Sequence, residues 1–488
     1  MPGRSTPCPP TEEGLPAGAC PWRAVDWKYL GEGNLHIVLS FRGNRPKWRG
    51  QVLRLRKITT KSVASLRECV VFARAVIGEL LGAQYTAPAR LVRLPQSFVQ
   101  AVASYLASEV ARPVHRRNLG LDISCLDAVL LPDLTLPKLP AWARAADDAD
   151  SEPMGAALCV EIKPKCGVAH PAASYAGQRA PCCRFCQHQA LKLLQGKVRW
   201  RSRYCPLRLF SAREGRALQV NDAIRGLFAT PQNNLRVFEP KGALAYGEEL
   251  PGEATACKGR EQWTKRDREQ QDPGQQQTRE LRRRSARLNT VCRAFSPSGS
   301  AALSGADTLV LLLTEVILSE RLLFERLYHV QLKDRLGAKR LAQLVAQGSA
   351  SDTADSMSAF AKCCSDQSLR ALLSDFALAT TAKDVSLMIS VQPVTPRMAL
   401  QLRIGSRLVL RDRNSPRLLI NPASRLEYLD LATRLAELRD GKRGGMLGGS
   451  LLYSITVCDL DPKVRIALPV VVESLYISVL SCWQSCLT

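Results

Sequence analysis

The run Cys159–Gly167, CVEIKPKCG, and the run Cys182–Lys192, CCRFCQHQALK, together decide how the chain is read. The first begins as an apolar strand, and strand alternation carries Glu161, Lys163 and Lys165 onto one face, so that two ammonium groups point the same way. In the second run His188 and Lys192 fall one helical turn apart. A lysine ammonium is a compact charge with three donors, which suits a ligand carrying several phosphates better than one planar carboxylate. Taken alone, KPK at a strand end reads more simply as solvated surface.

Working outward, 488 residues with a hydrophobic fraction of 46% allow one large or two ordinary domains with a proper core. The formal charge of +24, from 68 basic and 44 acidic side chains, asks for a polyanionic partner: nucleic acid, an anionic membrane or a highly phosphorylated small molecule. Aromatics make up only 6% and no RNA-recognition, zinc-finger or homeodomain pattern is present, so base stacking has little support. The 17 cysteines are scattered and odd in number, and the opening MPGRSTPCPPTEEG has no apolar signal core. A reducing, cytoplasmic and nuclear location and free thiols are therefore expected. The most apolar run, Ile466–Trp483, is interrupted by Pro469 and Glu473 and is not expected to span a membrane.

In chain order, residues 1–24 read as a disordered lead-in. YLGEGNLHIVLSF and QVLRLRK read as two short strands, with Gly31, Glu32, Gly33 and Asn34 at or before the first; glycines there would let backbone amides approach a phosphate, although a lone GEGN is also an ordinary turn. Val63, Leu66, Val70, Ala73, Ile77, Leu80 and Leu81 recur at helical spacing, with Gly82 as the stop. Two strands, a helix and a glycine loop have the layout of a small kinase-like N-lobe, in which Arg54 would serve nucleotide phosphates. AVLLPDLTLP (Ala128–Pro137) is a strand broken at Pro132 and Asp133, suited to a hinge. TPQNNLRVF brings Asn233, Asn234 and Arg236 together as donors, or marks a turn. Residues 251–304, rich in Glu, Gln, Lys, Arg and Gly, read as a disordered insert; its RELRRRSAR is either a nuclear address, a nucleic-acid patch or solvated linker. Helical periodicity returns over Asp307–Gln347, and Asp384, Asp459 and Asp461 stand at strand mouths, where carboxylates hold magnesium in phosphoryl transfer or simply start loops.

Eight blocks in order carry a resemblance: GEGN (Gly31–Asn34), VLR (Val52–Arg54), EIKPKCG (Glu161–Gly167), HQALK (His188–Lys192), YCPLRLFS (Tyr204–Ser211), TPQNNLRVF (Thr230–Phe238), TAKDVSLMI (Thr381–Ile389) and DLDPK (Asp459–Lys463). From about Trp27 to Lys463, apart from the insert, the chain resembles the inositol-pentakisphosphate 2-kinase family. The resemblance implies an α/β (α+β) kinase-like fold with a small N-lobe of antiparallel strands and a larger α/β C-lobe. It divides the chain at 25–135 (ATP-binding N-lobe), 136–250 (first part of the C-lobe, with EIKPK), 305–463 (second part) and 464–488 (atypical tail). It implies ATP and Mg2+ as cofactors, small-molecule substrates, a monomer, and transfer of the ATP γ-phosphate to the 2-hydroxyl of inositol 1,3,4,5,6-pentakisphosphate. Gly31, Gly33, Asn34, Arg54, Asp133, Glu161, Lys163, Arg236 and Asp459 would then surround the nucleotide. Arg116, Lys165, Lys192, Asn233, Asn234 and Lys463 would hold the inositol phosphates. Asp384 and Lys163 would be catalytic, with Asp384 contacting and activating the 2-hydroxyl, and Asp459 would hold magnesium, joined there by Asp384.

Two features stand apart from that pattern. Beyond the DLDPK block the family's basic residue, tyrosine and KLDxKI strand are replaced by VRIALPVVVESLYISVLSCWQSCLT, which suggests a truncated or mis-spliced end, an incomplete substrate clamp and weakened catalysis. Cys183 and Cys186 form CxxC, beside Cys182, Cys166 and His170. They either bind a structural zinc, for which CxxC supplies two ligands of the required four, or are reduced thiols in a packed loop. The competing function is a non-enzymatic polyanion binder for RNA or phosphoinositide, using the same basic surface.

Overall fold

The structure is a computed structural model and describes residues 22–59, 64–113, 116–136, 158–169, 183–198, 200–239, 241–247, 286, 289–290, 292, 305–337, 341, 367–394, 417–420, 426–430 and 450–461. Strands β1 (Trp27–Glu32), β2 (His36–Phe41) and β3 (Gln51–Arg56) come first. A helical segment follows, made of α1 (Leu66–Val71), a π-helical stretch Phe72–Ile77 and α2 (Gly78–Leu81). Then come β4 (Arg90–Arg93), α3 (Gln96–Ser108) and β5 (Asp127–Pro132). The chain divides into two compact units, one formed by Met1–Ser62 with Ala89–Asp133, the other by Val63–Pro88 with Leu134–Thr488.

The first unit is a five-stranded antiparallel sheet in the order β1-β2-β3-β5-β4. Where sequence spacing suggests two strands over 29–57, there are three, because GEGN is split: Gly31 and Glu32 finish β1, while Gly33 and Asn34 make the turn into β2. Apolar side chains from alternate strand positions, Ile37 and Leu39, Leu53 and Leu55, Ala128 and Leu130, meet Phe98, Val99, Val102 and Leu106 of α3. Each of the buried Ile, Leu, Val and Phe side chains contributes about 1.5–3 kcal/mol of transfer free energy.

The helical segment over 66–81 makes its core contacts in the second unit, through Phe72, Ile77 and Leu81. Ser65 opens it with a capping box: its hydroxyl accepts from Glu68 N, and the Glu68 carboxylate accepts from Ser65 N. The remaining elements of this unit are β6 (Leu158–Ile162), α4 (Arg184–Leu194), α5 (Pro206–Phe210), α6 (Ala217–Ala229), β7 (Leu235–Phe238) and β8 (Leu244–Tyr246). They continue with α7 (Gly305–Ser319), α8 (Arg321–Leu332), α9 (Gln367–Ala382), β9 (Ser386–Val394), β10 (Arg417–Ile420), β11 (Leu426–Asp430) and β12 (Ser450–Cys458). The strands form a seven-stranded antiparallel sheet in the order β10-β11-β12-β9-β6-β7-β8. Because every described strand pair in both sheets is antiparallel, the fold is α+β, and the α/β description of the larger unit is corrected.

The register of this sheet decides where the chemistry goes. Ile162 at the end of β6 faces Leu387 of β9 on one side and Leu235 of β7 on the other, and Cys458 at the end of β12 faces Ser386. One edge therefore gathers the segment after β6, the turn before β7, the turn before β9 and the residue after β12. Beneath it, Val160, Ile162, Leu235, Leu387 and Val457 pack with Phe210, Leu227, Phe324 and Leu327 in one buried cluster.

Candidate functional site

At that edge Glu161 is the hub. Its Oε2 accepts from Arg236 Nη1 at 3.0 Å, as expected for residues directly paired between β6 and β7, and its Oε1 lies 2.9 Å from Ser386 Oγ. Ser386 Oγ is also 3.0 Å from Asp459 Oδ2, so one hydroxyl proton is shared between two carboxylates. Lys163 Nζ donates to Asp459 Oδ2 at 3.3 Å and stands 3.9 Å from Glu161 Oε1. Burial pushes the Lys163 pKa down, but the carboxylates of Asp459, Glu161 and Asp384 outweigh it, and the net shift is upward. Lys163 is thus a held cation.

Lys165 takes a different partner, donating to Asp384 Oδ1 at 3.1 Å. The expectation that simple alternation carries Glu161, Lys163 and Lys165 along one strand face is corrected: β6 ends at Ile162, and Lys165 turns into the left-handed region at φ 59°. Asp459 (φ 61°) and Gln232 (φ 44°) do the same, so the only non-glycine residues with positive φ among the described ones all lie in the segments at this edge. Such backbone costs on the order of 1–3 kcal/mol each and persists only where the surroundings impose it. For Lys165 they do. The Tyr204 hydroxyl donates to Pro164 O at 2.7 Å, and a Cβ on Gly167 would fall 2.1 Å from the Phe210 ring, so the segment is pressed onto the helix packing below.

The turn before β7 contains Asn233, which is exposed, and Asn234, which is 1% exposed. Asn234 O accepts from Lys163 N at 2.9 Å, while its side-chain amide is buried with neither atom hydrogen-bonded. A buried amide without partners is costly, and a ligand oxygen at this edge would relieve it. Lys192 projects from α4, where His188 has its pKa lowered by burial and then by the charges of Lys192, Lys197 and Arg184. Lys463 lies outside the described residues, as do the insert apart from a few positions and the tail after Asp461.

The first unit holds the other candidates. Neither Gly31 nor Gly33 has a positive φ, and a Cβ on either would meet no atom within 4 Å, so no contact within the chain accounts for glycine there. Asn34 is exposed beside them. Arg54 on β3 donates to His36 Nδ1 at 2.7 Å, and buried Asp133 accepts from Ser40 Oγ at 2.9 Å. Arg116 donates to the backbone carbonyl of Glu32, placing a residue assigned to the inositol phosphates against the glycine turn. Sequence reasoning missed what fixes this turn: the Glu32 carboxylate is wholly buried between Lys57 and Arg112, with Arg112 Nε 2.9 Å from Oε1. Burial alone would raise the Glu32 pKa, but the hydrogen bonds from Arg112 and Lys57 lower it overall. The signal available was an acidic residue set between two glycines, Gly31 and Gly33. Ser386 was missed likewise.

Cys183 and Cys186 are joined by Cys205, with all three sulfur atoms within 4.8 Å of one another. Hydrogen bonds from the Cys183 and Cys186 thiols pull the Cys205 pKa down, while Cys183 is pushed up by its contacts with Cys186 and then Cys205, and by burial. Three thiols with one favoured as thiolate fit the ligand set of a structural zinc. Cys205 lies in YCPLRLFS, a block that sequence spacing did not link to CxxC. Cys182 and His170 lie outside the described residues.

A family model described as inositol-pentakisphosphate 2-kinase matches residues 29–469, a span that takes in every candidate from Gly31 to Lys463. The chain belongs to the inositol-pentakisphosphate 2-kinase family. A relative named inositol-pentakisphosphate 2-kinase from Danio rerio is 36% identical over 227 residues, 44% of this chain and 43% of the relative. One named inositol-pentakisphosphate 2-kinase IPK1 from Oryza sativa subsp. indica is 30% identical over 257 residues, 46% of this chain and 54% of the relative. One from Drosophila melanogaster is 40% identical over 112 residues, 22% of this chain and 17% of the relative. The chain spans about half the length of the curated relatives it matches. Within this kinase family frame, no helix among the described residues is long and apolar enough to cross a membrane.

Proposed function

We propose that the chain transfers the γ-phosphate of ATP to the 2-hydroxyl of inositol 1,3,4,5,6-pentakisphosphate, giving the hexakisphosphate. The observation that carries this reading is the pairing at the sheet edge: Lys163 with Asp459 and Lys165 with Asp384, two cations and two carboxylates set side by side. A substrate bearing five phosphates of roughly −1.5 to −2 charge each needs cations to hold it and to neutralise charge that develops on transfer. Lys165, Lys192, Asn233, Asn234 and Lys463 supply that binding. Asp384 accepts the proton of the 2-hydroxyl, and Lys163 stays charged beside the transferring group.

Asp459 and Asp384 suit magnesium, which keeps most of its waters and takes one or two carboxylates plus phosphate oxygens; their side chains are 48% and 44% exposed, which leaves room for both. When bound, the metal would neutralise the phosphate oxygens. The first unit reads as the ATP-binding N-lobe of a kinase-like fold, with Gly31, Gly33, Asn34, Arg54 and Asp133 as nucleotide residues, and the second as the C-lobe, with Glu161 and Arg236 on the nucleotide side. Cys183, Cys186 and Cys205 would hold a structural zinc. A monomer in the cytoplasm and nucleus is the accompanying expectation.

The test is ATP-dependent labelling of inositol pentakisphosphate by the purified full chain and by Asp384→Ala. Labelling that disappears with the substitution supports the reading. Tight polyphosphate binding without any labelling by the unaltered chain would turn the assignment to the polyanion binder.

A further inference from the structure

The Lys165–Asp384 pair lies just beyond the last β6–β9 pair, Ile162 with Leu387, where the two segments have left the sheet, and one buried side chain bonds to both of them. Gln331, on α8, is 1% exposed. Its Oε1 accepts from Gly167 N at 2.8 Å, and its Nε2 donates to Lys165 O at 3.0 Å and to Ala382 O at 2.9 Å. The orientation of this amide is dictated by its partners, because a backbone N–H can only donate and two carbonyls can only accept. Both amide protons are used. All three bonds go to the two segments that carry Lys165 and Asp384.

The same end of α8 reaches the second segment again: Asp334 Oδ2 accepts from Lys383 Nζ at 2.6 Å, one residue before Asp384. An apolar side chain at 331 would fill the same volume, so packing does not require glutamine. What it adds is specific. It holds the carbonyl of a residue in the left-handed region and the last carbonyl of α9 at one fixed separation, and these two backbones carry the cation and the carboxylate that meet at 3.1 Å.

We propose that Gln331 is a positioning residue for the reaction, acting through Lys165 and Asp384 without touching substrate. This inference rests on the proposed transfer to inositol pentakisphosphate. With the purified full chain, Gln331→Met should lower kcat by about 100-fold, the scale expected for a displacement near 1 Å between reacting groups. KM for inositol pentakisphosphate should rise and KM for ATP stay within about twofold, a split that a simple loss of folded protein does not produce. Gln331→Glu keeps the acceptor for Gly167 N–H but confronts two carbonyls with a carboxylate; protonation restores one donor. Its turnover relative to the unaltered chain should therefore climb as pH falls.

Turnover of Gln331→Met equal to that of the unaltered chain, or a loss with both KM values unchanged that follows the folded fraction, overturns the proposal. If the methionine variant does not fold, the glutamate variant decides, and a pH profile parallel to that of the unaltered chain counts against it. If the unaltered chain transfers no phosphate, the functional reading fails separately. The positioning claim is then judged by a crystal structure of Gln331→Met, in which an unmoved Lys165–Asp384 pair would sink it.

Discussion

Lys165 Nζ lies 3.1 Å from Asp384 Oδ1 although 219 residues separate them in the chain. The pair is half-open, with side chains 21% and 44% exposed, and a pair so exposed contributes about 0–1 kcal/mol to stability. Its worth lies in what a ligand can do with it. A phosphate can take the lysine, leaving the carboxylate free for a hydroxyl proton.

Asp384→Asn should cost about 100- to 10,000-fold in kcat, the usual contribution of a positioned general base, while inositol pentakisphosphate binds as well as or better than before because one negative charge near it is gone. Calorimetric titration beside steady-state rates measures both. Retained turnover in this variant would exclude Asp384 as the base.

Lys163 should show no titration in the working range. Its pKa is raised above the ordinary 10.5, so the stability from its pairing is fully present below that value and is lost only as pH rises through the higher folded value. A pH–rate profile with a limb between 6 and 9 that Lys163→Met abolishes would contradict this.

Glu32 sits between two cations with its carboxylate fully buried, so Glu32→Gln leaves Lys57 and Arg112 short of a counter-charge and should cost about 3–5 kcal/mol in the first unit. Its pKa is depressed below the ordinary 4.5, so this stability is present above that value and is lost as pH falls through the folded value. Thermal unfolding between pH 7 and pH 3 should therefore show an acid-labile step that the glutamine variant lacks.

Gly33 has open space where a Cβ would go, so Gly33→Val should leave thermal stability nearly unchanged and yet raise KM for ATP by about tenfold if a nucleotide phosphate approaches this turn. A KM equal to that of the unaltered chain would remove the turn from the nucleotide site.

The Cys183–Cys186–Cys205 cluster should carry about one zinc per chain in protein purified without chelator, and Cys205→Ser should lose it. Because Tyr204, the residue before Cys205, holds Pro164 O, loss of the metal should also weaken inositol pentakisphosphate binding through Lys165. Metal-free protein of full affinity would dispose of both expectations.

Much of this could be read along the chain. Hydrophobic alternation and helical spacing are local properties, so the strand at 158–162, the helix ending at Gly82 and the strands around Asp384 and Asp459 were legible, as were the motifs naming the family. What spacing could not give is which ends meet. The β12-β9-β6-β7 order brings Asp459, Asp384, Lys163 and Asn234 to one edge, and that order follows from long-range register between strands far apart in sequence. The left-handed turn at Lys165 sends it to Asp384 while Lys163 goes to Asp459, a separation that regular alternation would have concealed. The supporting side chains, Glu32, Cys205, Gln331 and Ser386, belong to the tertiary structure for the same reason. Each acts by what it touches across the fold, and a sequence states only what stands beside it in the chain.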